Sequence, residues 1–299
     1  MEAARIPARA VDRRQVILVG ALVALAVVGW LVTDDRMAGM DAGPGTDPGT
    51  VGFYVGVWVV MMGAMMFPSM APMVVAYAGI QRTRRNQGKR QSGSIAVALF
   101  VGGYLASWTI FGLAAYALLK LGRSLSIDAL SWDSGGPYLA GGVLLVAAAY
   151  QLTPVKDVCL RKCRGPLDFV LGGWKPGYAG ALRMGVDHGA WCVGCCWALM
   201  AALFALGVMS LGWMAFVAAL IAVEKLLPWK AVANRGIAVL LGVLAIMVAI
   251  VPEDVPGLTL PNSQQARGAM MRMGSPAMKV GHEAMPSPAM GGAQDKMAP

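Results

Sequence analysis

Charge is scarce in this chain. Only 14% of its 299 residues are Asp, Glu, Lys or Arg, against 57% hydrophobic, and mean hydropathy is +0.60. A soluble domain usually carries roughly a quarter charged residues, so the composition excludes an ordinary soluble domain and points to membrane helices. Histidine is scarcer still, with two residues. No phosphate-binding glycine loop, hydrolase elbow or pair of acid and base carboxylates is present. One histidine in an apolar run, without a second base, argues against hydrolytic or proton-pumping chemistry. The five cysteines, mostly within or beside apolar runs, are not the framework of a small secreted disulfide protein and read as reduced thiols. The net charge of +9 does not mark a nucleic-acid binder. The Lys and Arg residues fall in short runs between apolar segments, where they act as topology signals.

What the chain does have is apolar runs of spanning length. They cover residues 15–33, 51–80, 94–121, 137–153, 182–208, 211–227 and 236–251, each near the ~20 residues that cross a hydrocarbon core. We expect an all-α polytopic transmembrane bundle of seven spans, or six if the first run is a cleaved signal. That run lacks a convincing small-x-small cleavage site and is long for a signal core. Residues 1–14, 81–93, 154–183 and 225–235 hold 18 of the 25 Lys and Arg. The segment 34–50 instead carries Asp34, Asp35, Asp41 and Asp47. The positive-inside rule then places the N-terminus in the cytoplasm and, with seven spans, the tail outside. From Pro252 onward, Pro, Gly, Ser, Ala and Gln replace large aliphatics, which predicts a disordered tail over 252–299.

The fifth run contains Val186-Asp-His-Gly-Ala-Trp-Cys-Val-Gly-Cys-Cys-Trp-Ala-Leu-Met200. On a helix, His188, Cys192 and Cys196 form one row, with Cys195 beside it and Met200 a turn further on. Imidazole, thiolates and a thioether on one face are soft ligands, suited to Cu(I) or Zn(II) rather than Mg or Ca. Small buried hydrophobes are the plain alternative for cysteine, but it does not account for Cys-x-x-Cys-Cys one turn after Asp-His. Asp187 either orients His188 as a carboxylate acceptor or caps the helix start.

Other soft donors lie elsewhere. In the second run Met61 stacks on Met65 and Met62 on Met66, before Pro68 and Pro72, which should kink the helix and keep it inside the bundle. Cys159 and Cys163 form Cys-x-x-x-Cys in a basic segment, where Arg161, Lys162 and Arg164 should favour thiolate. The tail holds seven of 21 methionines, including Met270, Met271, Met273, Met278 and Met285, together with His282. Spaced thioethers suit capture of Cu(I) on the oxidising side of a membrane. Glu224-Lys225, near the inner end of the sixth run, reads as a mutual ion pair or a pair reaching to the interface.

Four stretches resemble one family: Met-Met-x-Ala-Met-Met-x-Pro-Ser-x-x-Pro-Met73, Tyr150-Gln-Leu-Thr-Pro154 through Cys159 and Cys163 to Pro166, Asp187-His-Gly through Met200, and Glu224-Lys-Leu-x-Pro228. The family is that of bacterial predicted metal-binding integral membrane proteins, a domain of unknown function sometimes labelled copper chaperone-like. The resemblance covers about residues 51–251. It implies an inner-membrane protein that binds metal through its His/Cys segment, with no established reaction.

The combined reading is Cu(I) binding and transfer, with Zn(II) as the other candidate ion. His188, Cys192, Cys195 and Cys196 hold the metal, and Met61, Met65, Met62 or Met66 supply weaker ligands from the facing helix. Cys159 and Cys163 form a cytoplasmic station and the tail an outer one. The partners expected are the lipid bilayer and a copper protein or membrane enzyme complex. A membrane thiol oxidoreductase, or a structural subunit with a stabilising metal, are the alternatives. Geometrically, the second and fifth spans are expected side by side, with residues 58–65 level with Cys192 and Cys196, and with Gly63, Gly189 and Gly194 letting the backbones approach.

Overall fold

A computed structural model describes residues 13–37, 41, 43, 49–88, 93–124, 132, 135–227, 229–260, 263–264, 266–268 and 271. The described residues are all-α: α1 (Arg13–Met37), α2 (Val51–Asn86), α3 (Ser94–Ser124), α4 (Gly136–Gln151), α5 (Pro154–Arg164), α6 (Pro166–Gly172), α7 (Gly177–Leu206), α8 (Leu211–Leu226) and α9 (Lys230–Ile250), then a 3-10 turn at Pro252–Asp254. Five helices are long and apolar enough to cross a membrane: α1, α2, α3, α7 and α9. A sixth span exists if α4 and α5, bent by 68° at their junction, are counted as one. Helices α4 and α8 have 16 residues each, about 24 Å at ~1.5 Å per residue. That is short of the ~30 Å core, so these two of the seven expected runs are the weakest spans by length.

Local sequence explains the breaks. Pro154 restricts Thr153 to extended backbone, ψ 145°, ending α4, and the Thr153 hydroxyl then caps α5 by accepting from the Lys156 amide. Between α5 and α6, Gly165 precedes Pro166 at the first position of α6, with no side-chain cap. The segment expected as a plain basic loop is therefore two short helices. Gly207, at φ +114°, closes α7 in the left-handed region. In α2, helix continues through Pro68 and Pro72, whose rings are exposed while the methionines around them are buried.

Packing differs from the expected order. The chief partner of α7 is α3, not α2. A Cβ on Gly185 would run into the Phe100 carbonyl, and one on Gly189 would lie 2.7 Å from Ser107 Cβ. The Ser107 hydroxyl donates to the Val186 carbonyl at 3.0 Å. Glycines here let two backbones touch, the usual device where apolar burial alone gives no drive. Helix α1 packs on α2 through Gly29 against Ala64.

The two ends of the bundle differ in character. At one, Arg84 stacks over Trp174, and Arg164 donates to the carbonyls of Glu224 and Leu227. At the other, Asp41 accepts from Thr259 and Trp213 donates to the Gly257 carbonyl. The chain just past α9 is thus pinned to this second end, with Val255 buried. Order continues beyond Pro252, where composition predicted disorder to begin.

Candidate metal centre

Helix α7 presents Cys192, Cys195 and Cys196 inward, all fully buried. The bend at Thr153 swings α5 across α7 and delivers two more thiols. Cys163 Sγ lies 3.6 Å from Cys195 Sγ, which lies 3.3 Å from Cys196 Sγ. The sulfurs of Cys163, Cys192 and Cys195 all fall within 4.8 Å of one another. All five cysteines are free. Cys159 packs into the notch of Gly194, where a Cβ would sit 2.9 Å from its sulfur, and Tyr150 donates to the Gly194 carbonyl at 2.6 Å. The two cysteine motifs, expected as separate stations, therefore converge on one stretch of α7.

These sulfurs fit a soft ion. Thiolates bound at ~2.3 Å in tetrahedral or trigonal geometry stand roughly 3.7–4.0 Å apart, within the spread of the triad. Thiolate sets select Cu(I) or Zn(II).

His188 is not in the group of side chains that fall within 4.8 Å of one another. Its ring lies among Phe100, Tyr104 and Phe169, with centroids at 6.0, 5.6 and 5.3 Å. Its buried Nδ1 has no hydrogen-bond partner among the described residues. Tyr104 joins the two regions, since its hydroxyl lies 3.1 Å from Cys192 Sγ. Asp187 is partly exposed and ion-paired with Lys175, so its carboxylate is engaged away from the imidazole.

Two contacts fix the level of α2. Trp58 stacks on Phe204 at 5.7 Å, and eleven residues along α2, Ser69 shares the Lys225 ammonium with Cys192, twelve residues back along α7. In this antiparallel register Met66 and Met70 stand level with Cys195, Cys196 and Cys192. Met65 stands level with Cys196, while Met61 and Met62 stand level with Met200, about one turn beyond Cys196. All five of these α2 methionines and Met200 are buried. In the tail, Met271 is exposed. Met270, Met273, Met278, His282 and Met285 lie outside the described residues.

One site residue escaped the sequence reading. Lys225 Nζ donates to Cys192 Sγ at 3.0 Å and to Ser69 Oγ at 3.5 Å. Glu224 does not pair with its neighbour but with Lys156, at 2.6 Å and with both side chains buried. Adjacent helical residues point about 100° apart, so a Glu-Lys dipeptide cannot satisfy itself and each charge needs a partner on another helix. That was the available signal.

The described residues form an all-α, apolar bundle with a thiol cluster, at the crossing of two helices, that could hold a metal ion. The chain belongs to the copper chaperone family PpoB2, whose model matches residues 55–248. That span takes in α2 to α9 and every cysteine. No curated protein and no solved structure matches the chain.

Proposed function

We propose that the chain is a multi-pass protein of a bacterial cytoplasmic membrane that takes up Cu(I) as cargo on the thiols of Cys192, Cys195, Cys196 and Cys163 and passes it to a copper protein. The observation that carries this is the meeting of Cys163, from α5, with the α7 thiols within 4.8 Å. A site shared between two helices can release its ion by parting them, and an ion held only by soft, exchangeable donors suits transfer. Met66 and Met70 on α2, level with the thiols, are the next donors along the path. His188 is the nitrogen donor one turn below.

The membrane reading is supported by the exterior. Ile110, Leu118, Val239 and Ile246 are each at least 60% exposed, an apolar surface that water does not tolerate at this extent. In this reading the Arg84–Trp174 end faces the cytoplasm, following the basic segments, and the tail leaves on the other side. Helix α5 crosses α7 at Gly194 and Cys195, about midway along that helix, and so lies at the depth of the site. Cys159 fills the Gly194 notch while Cys163 meets Cys195, so in this reading Cys159 serves packing and Cys163 is the ligand.

Metal analysis of the purified protein tests the proposal. The wild type is expected to retain copper under reducing conditions, and Cys192→Ser/Cys196→Ser to lose it while remaining folded. Equal copper content in both would overturn the site. A thiol oxidoreductase is the second reading, favoured only by the 3.6 Å approach of Cys163 and Cys195. Titrating thiols in the presence of copper separates the two, since ligation protects thiols and redox cycling consumes them.

A further inference from the structure

We infer that Lys225 is the fixed counter-charge of the cargo site and sets its preference for a monovalent over a divalent soft ion. The inference rests on the copper reading above and goes beyond it by naming a residue that is not a ligand.

Three observations carry it. First, the ammonium of Lys225 is turned onto the sulfur of Cys192, at 3.0 Å, although Cys192 is fully buried. Second, the acid next to it in sequence is already committed, because Glu224 is closed on Lys156 at 2.6 Å. The hydrogen-bond partners of the Lys225 ammonium among the described residues are Cys192 and the neutral hydroxyl of Ser69. Third, the neighbouring cations at this end of α8 are engaged elsewhere, Lys156 by the Glu224 carboxylate and Arg164 by the backbone carbonyls of Glu224 and Leu227. The positive charge of Lys225 therefore falls on the thiol site and is not cancelled by a carboxylate.

The consequence follows from charge alone. An ion bound at Cys192 sits a few ångströms from the ammonium. Replacing a monovalent ion by a divalent one adds one positive charge at that place, whatever the number of thiolates around it. In surroundings of low effective dielectric the added repulsion is large, so Lys225 penalises Zn(II) and Cd(II) relative to Cu(I) and Ag(I). This electrostatic bias adds to whatever preference the thiolates themselves have among soft ions.

The test uses the full chain in detergent, with Ag(I) as a redox-inert monovalent probe and Cd(II) as the divalent one. Competition between them is followed by the cadmium–thiolate absorbance and by bound metal. In Lys225→Gln, which keeps a donor to Cys192 but removes the charge, the Ag(I)-to-Cd(II) affinity ratio is expected to fall by at least about tenfold. In Lys225→Arg the ratio should stay near the wild-type value. Lys225→Met gives the same comparison if the glutamine variant does not fold. An unchanged ratio in a folded, uncharged variant would overturn the inference, as would an equal loss for both ions, which would make Lys225 a mere support for Cys192. A wild type that binds neither ion through its cysteines, with Cys192→Ser behaving identically, would remove the copper reading and this inference together.

Discussion

At the scale of single residues, position along a motif is a poor guide to role. Cys159 and Cys163 lie one helical turn apart, yet one fills the Gly194 notch and the other meets Cys195. Their replacements should therefore separate. Cys163→Ser is expected to weaken Cu(I) binding at least about tenfold, the scale seen even for residues that only support ligands, while Cys159→Ser changes it little. Competition against a chromogenic Cu(I) chelator measures both, and equal effects would restore the two-cysteine station. The sequence made His188, Cys192, Cys195 and Cys196 legible as soft donors because helical spacing stacks them. It did not show that the imidazole sits in an aromatic cage, because that cage comes from α3 and α6.

At the scale of elements, α5 is the arm that completes the site. It is fastened by Lys156 to Glu224 of α8, by Arg164 to the same helix end, and by Asp157 to Asn234 of α9 at 3.4 Å. Removing one partner of a buried ion pair leaves an uncompensated charge, costing ~3–5 kcal/mol, whereas replacing both by apolar groups is often neutral. Glu224→Gln should lower the thermal unfolding midpoint in detergent and loosen Cys163 from the cluster. The double variant Lys156→Met/Glu224→Leu should recover most of the stability. If Glu224→Gln unfolds at the wild-type temperature, the fastening of α5 lies elsewhere. The break that creates this arm was readable in Thr153-Pro154, but its 68° direction was not, since proline fixes where a helix stops and packing fixes where the next one goes.

At the scale of the whole molecule, the Asp41–Thr259 and Trp213–Gly257 contacts tie the chain after α9 to the end opposite the basic segments. The chain is therefore fixed at that end as far as Leu260. Ending the chain after Leu260 should leave the unfolding midpoint unchanged but slow copper loading from outside at limiting metal. Ending it after Val251 should also destabilise the bundle, because buried Val255 is lost. In intact cells an impermeant thiol reagent should reach Ser275→Cys and spare Cys163. Unaltered loading in the shorter chain makes the tail a passenger, and reversed labelling inverts the bundle.

The sequence by itself determined the helical class, the apolar segments, the end of the fourth of them at Thr153, and the soft character of the donors. All of these depend on residues within one turn of each other, where helical periodicity and the φ limits of Pro and Gly act directly. Only the tertiary structure decided that α7 lies on α3, that Cys163 joins Cys195, that Lys225 turns to Cys192 and that Glu224 belongs to Lys156. A chain this apolar has little amphipathic contrast to say which helix faces which. The choice falls instead to where backbones can touch, at Gly185 and Gly189 against Phe100 and Ser107, and to which isolated charges must find partners on another helix.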